Sequence, residues 1–111
     1  MAGDVERARS LLAPESRLHT PVATYIGPER IGVLLDAIYR VLRNRKVTSE
    51  LERPDELALF FGATVEGRPV DGVLHVFTDR SGRAKEITVM IRPLEPLLES
   101  VDLVRDILRR R

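Results

Sequence analysis

The sequence predicts an α+β domain in which helices cover one face of a mostly antiparallel sheet. Three apolar runs carry the sheet prediction: Leu57–Val65, Pro69–Thr78 and Ala84–Arg92. Only Glu66-Gly67-Arg68 and Asp79–Arg83 separate them, which is the spacing of a β-meander. Two further stretches repeat apolar residues at helical spacing, one before the meander and one after it. A length of 111 residues holds one such domain, 1–111, and is too short for two.

Taken from the N-terminus, Asp4–Ala13 is expected as a short helix with Val5, Ala8, Leu11 and Leu12 on one face, ended by Pro14. Ser16–Tyr25 sets Leu18, Thr20, Val22 and Thr24 against Arg17, His19, Ala23 and Tyr25, a strand interrupted at Pro21. Gly27-Pro28-Glu29 is a helix start, with proline in the first turn and an acid beside the positive dipole end. That helix is expected to reach about Arg43, burying Ile31, Leu34, Leu35, Ile38, Val41 and Leu42. Asp36, Arg40 and Arg43 are expected on its outward face, with Asn44 as C-cap. Lys46–Leu51 alternates like an edge strand and ends near Pro54. After the meander and Pro93, residues from Leu94 to Leu108 form an amphipathic C-terminal helix, and Arg109–Arg111 complement its dipole. The expected order is α-β-α-β-β-β-β-α.

Composition excludes several function classes. The chain is 43% hydrophobic and 32% charged, ordinary for a soluble globular domain. Eighteen basic residues against 17 acidic ones leave a net charge of +1, no footprint for nucleic acid or an anionic membrane. Without cysteine there is no disulfide, thiolate nucleophile or cysteine-ligated metal. Met1–Ser10 lacks the apolar core of a signal peptide and no run is long enough to span a membrane, so the expected compartment is the cytoplasm. No paired-histidine metal spacing, glycine-rich phosphate loop or nucleophile elbow occurs, so neither a metal nor a cofactor is expected.

Asp71, His75 and Arg92 are ionisable groups set within otherwise apolar strands, the usual mark of a cavity. Strand parity groups Asp71, Val73, His75 and Phe77 on one face and Val70, Gly72, Leu74 and Val76 on the other. It also groups Thr88, Met90 and Arg92 against Ile87, Val89 and Ile91. Both sets are apolar enough to be covered, one by helices and the other by a second subunit, which is the argument for a homodimer. In a cavity, Asp71 would serve as acid or base, His75 as its proton-transferring partner and Arg92 as an orienting charge. The plain alternatives are a turn-flanking Asp71, a half-buried His75 with one satisfied nitrogen, and a structural salt bridge from Arg92 to Asp71 or Glu95. Phe60, Phe61, Phe77 and Met90 are core or cavity wall, and Tyr39 packs beside the stripe of the first long helix.

From His19 onward the order and several strings resemble the nuclear transport factor 2-like superfamily, in its SnoaL-like branch. The strings are His19-Thr20-Pro21-Val22, Tyr25–Ile31, Val70-Asp71-Gly72-Val73, Gly82–Ile87 and Thr88–Pro93, within a match from Leu12 to Leu94. The resemblance implies a cone of curved sheet wrapped over helices with a cavity between, commonly in a homodimer. It puts Asp71 near a position where related hydrolases and cyclases carry a cavity carboxylate, and His19 and Tyr25 at the cavity mouth. The helical part before the first strand is shorter than usual there, and the C-terminal helix is expected to replace part of the missing cover.

Two enzymes of the superfamily test the inheritance of chemistry. Ketosteroid isomerases carry an Asp-Pro-Val string whose aspartate moves the proton; this chain has Thr20-Pro21-Val22, and a threonine hydroxyl is no base at neutral pH. Limonene-type epoxide hydrolases use an Asp–Arg–Asp set, with the arginine two residues before the first aspartate. Pro69 stands at that position and Arg92 in place of the second aspartate, so a water held between two carboxylates is not built. Two functions follow as expectations. The first is binding of a small hydrophobic carbonyl or carboxylate compound in an apolar cavity, with isomerase, cyclase or hydrolase chemistry as its enzymatic form. The second is a non-enzymatic dimeric binding or scaffold domain in which Asp71 and Arg92 form a structural ion pair.

Overall fold

The computed structural model describes residues 5–111. Its elements are α1 (Val5–Ser10), β1 (Leu12–His19), β2 (Thr24–Ile26), α2 (Pro28–Val41), β3 (Arg43–Arg53), β4 (Glu56–Val65), β5 (Arg68–Thr78), β6 (Ala84–Arg92) and α3 (Leu94–Arg109). The strands form a curved, open six-stranded sheet in the order β2-β1-β6-β5-β4-β3. Among the described residues only the β1–β6 pairing is parallel. The α+β class and the meander β4-β5-β6 agree with the sequence expectation, and β3 is an edge strand, as expected for Lys46–Leu51, with β2 at the other edge.

The turns carry the meander. Glu66 (φ 48°) and Gly67 (φ 81°) both take left-handed backbone, the two-residue turn whose twist matches an antiparallel hairpin. Between β5 and β6, the Asp79 carboxylate accepts from the Ser81 amide (2.9 Å), the Ser81 hydroxyl (2.7 Å) and the Arg83 amide (3.0 Å). The Ser81 hydroxyl first, then the Arg83 amide, hold the Asp79 carboxyl below the usual carboxylate range. A carboxyl depressed in the folded state favours folding above its unfolded titration range, and the benefit is lost on acidification.

α2 starts where expected. Gly27 sits at φ 96°, Pro28 opens the first turn, and the Ile31 amide donates to the Gly27 carbonyl at 3.1 Å. α2 and α3 lie on one face of the sheet. Leu18, Ile31, Leu34, Ile87 and Val89 form one core cluster, and Val41, Leu42, Ala63, Val65 and Val70 a second. Ile38, Ile91 and Val104 pack against both clusters and join them.

Four local expectations change. The N-terminal helix ends at Ser10, and Leu12 and Ala13 are buried strand residues. Asp4, and the side chains of Val5 and Ala8 that would carry the expected apolar face, lie outside the described residues. Pro14 does not end a helix; it stands within β1 where the pairing with β6 shifts register, a place that needs no amide donor. Asp36 is buried, not outward: α1 packs against α2, and the Asp36 carboxylate accepts from Arg40 Nε at 3.1 Å. Finally, α2 stops at Val41 with Leu42 as its C-cap. Arg43 already belongs to β3, and Asn44 takes left-handed backbone (φ 54°) inside that strand.

Candidate functional site

The sheet separates two surfaces. On the helix side, β5 presents Val70, Gly72, Leu74 and Val76, β6 presents Ile87, Val89 and Ile91, and β4 presents Phe61, Ala63 and Val65. Two adjoining apolar hollows lie there, sharing Ile38, Leu42 and Val89 in their walls. The smaller, about 90 Å³, lies between α2 and α3 and is closed at one end by Thr20, Pro21, Val22 and Tyr25. That is below the ~150 Å³ that admits benzene in an engineered core. The larger, about 390 Å³, lies under the other flank of α2 and is walled by Leu35, Val47, Leu59, Phe61 and Leu74. Its size falls in the range of roughly 300–1,000 Å³ common to small-molecule sites.

Among the described residues, no acidic residue and no histidine lines either hollow. Arg105 is the charged residue bordering the smaller one, and Arg45 and Lys46 border the larger. Thr20 is already engaged: its hydroxyl donates to the Ala23 carbonyl (2.9 Å) and accepts from the Val22 (3.2 Å) and Ala23 (3.1 Å) amides. Its role is to close the β1–β2 turn at the mouth of the small hollow.

Room for the larger hollow depends on Gly72. A Cβ at this position would lie 2.7 Å from Phe61 Cζ and would also collide with the Met90 carbonyl oxygen. Phe61, the direct cross-strand partner of Gly72, therefore lays its ring over the glycine. Nothing in the sequence pattern singled Gly72 out beyond its presence within a strand.

Most of the residues singled out from sequence lie on the opposite face. Register pairs Asp71 with Arg92, Val73 with Met90 and Phe60, and His75 with Thr88, all in the set turned away from the helices. Parity thus grouped Asp71 with His75 as expected, but the helices cover the other set. His19, Asp71, His75, Phe60, Met90 and Arg92 do not line the hollows; of the residues proposed from sequence as cavity wall or mouth, Tyr25 borders the smaller hollow and Phe61 the larger. Asp71 and His75 are four residues apart, about 13 Å along a strand, too far to share a proton.

Asp71, Arg92, His75 and His19 each have a partner on this outer face. Arg92 Nη1 donates to Asp71 Oδ2 at 3.2 Å, with the two side chains 74% and 59% exposed. His75 Nε2 lies 2.7 Å from Glu56 Oε2, and its ring meets Phe77 edge-on at 4.7 Å. His19 Nε2 lies 2.6 Å from Glu86 Oε1, and Nδ1 lies 2.9 Å from the Thr24 hydroxyl. An ion pair as exposed as Asp71–Arg92 contributes about 0–1 kcal/mol, so a large structural role for it does not follow within one chain.

No protein-family model and no curated protein matches the chain. Solved structures do. An uncharacterised bacterial protein with a cystatin-like fold from Silicibacter pomeroyi superimposes with a TM-score of 0.89 at 20% identity, over 95% of this chain and 76% of that one. A steroid delta-isomerase from Pseudomonas aeruginosa gives 0.90 at 23% identity, over 96% of this chain and 81% of the other. A nuclear transport factor 2-like protein of unknown function from Cytophaga hutchinsonii gives 0.66 at 16%, over 86% and 80%.

The fold is nuclear transport factor 2-like. Within that fold, α3 packs against α2, β4, β5 and β6. The Thr20-Pro21-Val22 string borders the small hollow between those helices and the sheet. Among the described residues no group of His, Asp and Glu could hold a metal ion, and no helix is long and apolar enough to cross a membrane.

Proposed function

We propose that this chain is a small-molecule-binding domain that holds an apolar ligand in the hollow under α2. The observation that carries the reading is the hollow itself: about 390 Å³, walled by aliphatic and aromatic side chains, and bordered by no acid or histidine. A lining without a carboxylate or imidazole suits retention of a ligand better than proton transfer. The likeness in fold to a protein named as a steroid isomerase supports an apolar ligand, whereas Thr20, committed to its turn, does not support that protein's activity here. The acid–base roles for Asp71 and His75 would need those side chains on the helix side, and the register has them on the other.

The experiment is a melting series with a neutral apolar probe, 1-decanol. A ligand at about 100 times its Kd stabilises by ~2.7 kcal/mol, so a rise of several degrees is expected. No rise at the solubility limit of decanol or of larger neutral apolar compounds overturns the reading.

A second reading concerns the outer face and rests on a different observation. Met90 (59% exposed), Phe60 (38%), Phe77 and Leu51 all show apolar side chains on one sheet surface. Such a patch fits the same face of a second copy, giving a symmetric homodimer. Sedimentation should then show a dimer across micromolar concentrations, and Met90→Glu should convert it to monomer with an unchanged melting profile for the hollow's ligand. A monomeric unaltered chain at millimolar concentration refutes the dimer.

A further inference from the structure

We infer that the ligand of the larger hollow is an amphiphilic anion, an apolar body with one carboxylate-like group held at Arg45; this rests on the binding function proposed above. The hollow's walls are apolar, and the charged residues at its border are Arg45 and Lys46, both cationic. Arg45 lies next to the register shift between Arg43 and Lys46, beside Asn44 in left-handed backbone. That irregularity turns the side chain back under the C-terminal end of α2. Its guanidinium carbon sits 3.5 Å from the centroid of the Tyr39 ring, and Nη1 donates to the Tyr39 carbonyl (2.7 Å) and to the Leu42 carbonyl.

The guanidinium is thus held in place by neutral partners only. No carboxylate pairs with Arg45 or with Lys46 among the described residues, although Arg9, Arg40, Arg53, Arg68, Arg92 and Arg109 all pair with acids. A guanidinium has five N–H donors in a rigid fork, and Nη1 accounts for the two carbonyl contacts. Donors on Nε and Nη2 remain for an anion, and fixing the fork in advance lowers the entropic cost of using it. A neutral ligand would fill the walls without using the free Nε and Nη2 donors, whereas an anion would engage them and a cation would be repelled. The anion's head therefore belongs at Arg45, and its apolar body along Leu35, Leu59, Phe61 and Leu74.

The test compares n-decanoate with 1-decanol by titration calorimetry, below the micelle concentration. The unaltered protein should bind decanoate at least tenfold more tightly than decanol. Arg45→Gln should erase that preference by weakening decanoate at least tenfold more than decanol, and methyl resonances of Leu35, Leu59 and Leu74 should shift with either probe. If neither probe binds, the binding function itself fails. If both bind the unaltered protein equally, or Arg45→Gln keeps the preference, or the shifts fall elsewhere, the anion site fails and the apolar site is judged on decanol alone. Should Arg45→Gln not fold, the unaltered protein decides: the decanoate preference should shrink between low and high salt while decanol binding does not. A preference indifferent to salt overturns the inference.

Discussion

Gly72→Ala is expected to destabilise the protein by about 1–3 kcal/mol and to weaken ligand binding under α2 in the same variant. Both effects have one origin. The added methyl would overlap the Met90 carbonyl on one side and the Phe61 ring on the other. Relief of the Met90 contact loosens the β5–β6 ladder, and relief of the other contact displaces the Phe61 ring. Phe61 is part of the wall of the larger hollow, so its movement changes the space available to a ligand. Denaturant unfolding measures the first effect and decanol affinity the second. The double variant Gly72→Ala/Phe61→Leu should recover part of the stability, because the two sites share one contact. A Gly72→Ala protein that unfolds like its parent would show that Phe61 does not rest on the glycine.

Leu18→Ala is expected to cost about 2–5 kcal/mol. Leu18 is fully buried in β1, pairs in register with Ile87 of β6, and belongs to the cluster that includes Ile31 and Leu34 of α2. Its truncation leaves a void between the parallel strand pair and the helix, and the sheet and α2 cannot both close around it. For a chain of this size each kcal/mol corresponds to about 4–8 °C in Tm, so thermal unfolding should shift by roughly 10 °C or more. A shift of under about 3 °C would mean that β1 does not hold α2 to the sheet.

The meander was legible because its two turns carry unambiguous chemistry. Glu66-Gly67 and the Asp79–Arg83 loop leave no other place for the chain to reverse. α2 was legible at its start, where Gly27 and Pro28 act locally, and less so at its end, where Asn44 signals a cap two residues beyond the observed one at Leu42. The segment Leu11–Ala13 was misread as helix because its apolar residues fit either period over so few positions. Pairing with β6 decides it, through contacts more than seventy residues away, such as the Leu12–Ala84 partnership. Arg45 was hidden in a run of basic residues. Only the register shift in β3 and the left-handed Asn44 bring it beneath α2.

The class, the meander and the grouping of Asp71 with Val73, His75 and Phe77 can be read from the residue pattern, since alternation along a strand is a property of the backbone alone. The pattern did not decide which of the two groups the helices would cover, because both are apolar enough to be buried. That choice fell to tertiary packing. α2 and α3 settle against Val70, Leu74, Val76, Val89 and Ile91 and join two core clusters there, leaving Asp71, His75 and Arg92 to pair with their neighbours on the outer face. The physical reason is that burial of branched aliphatic side chains is rewarded without partners, whereas a buried ion must find one.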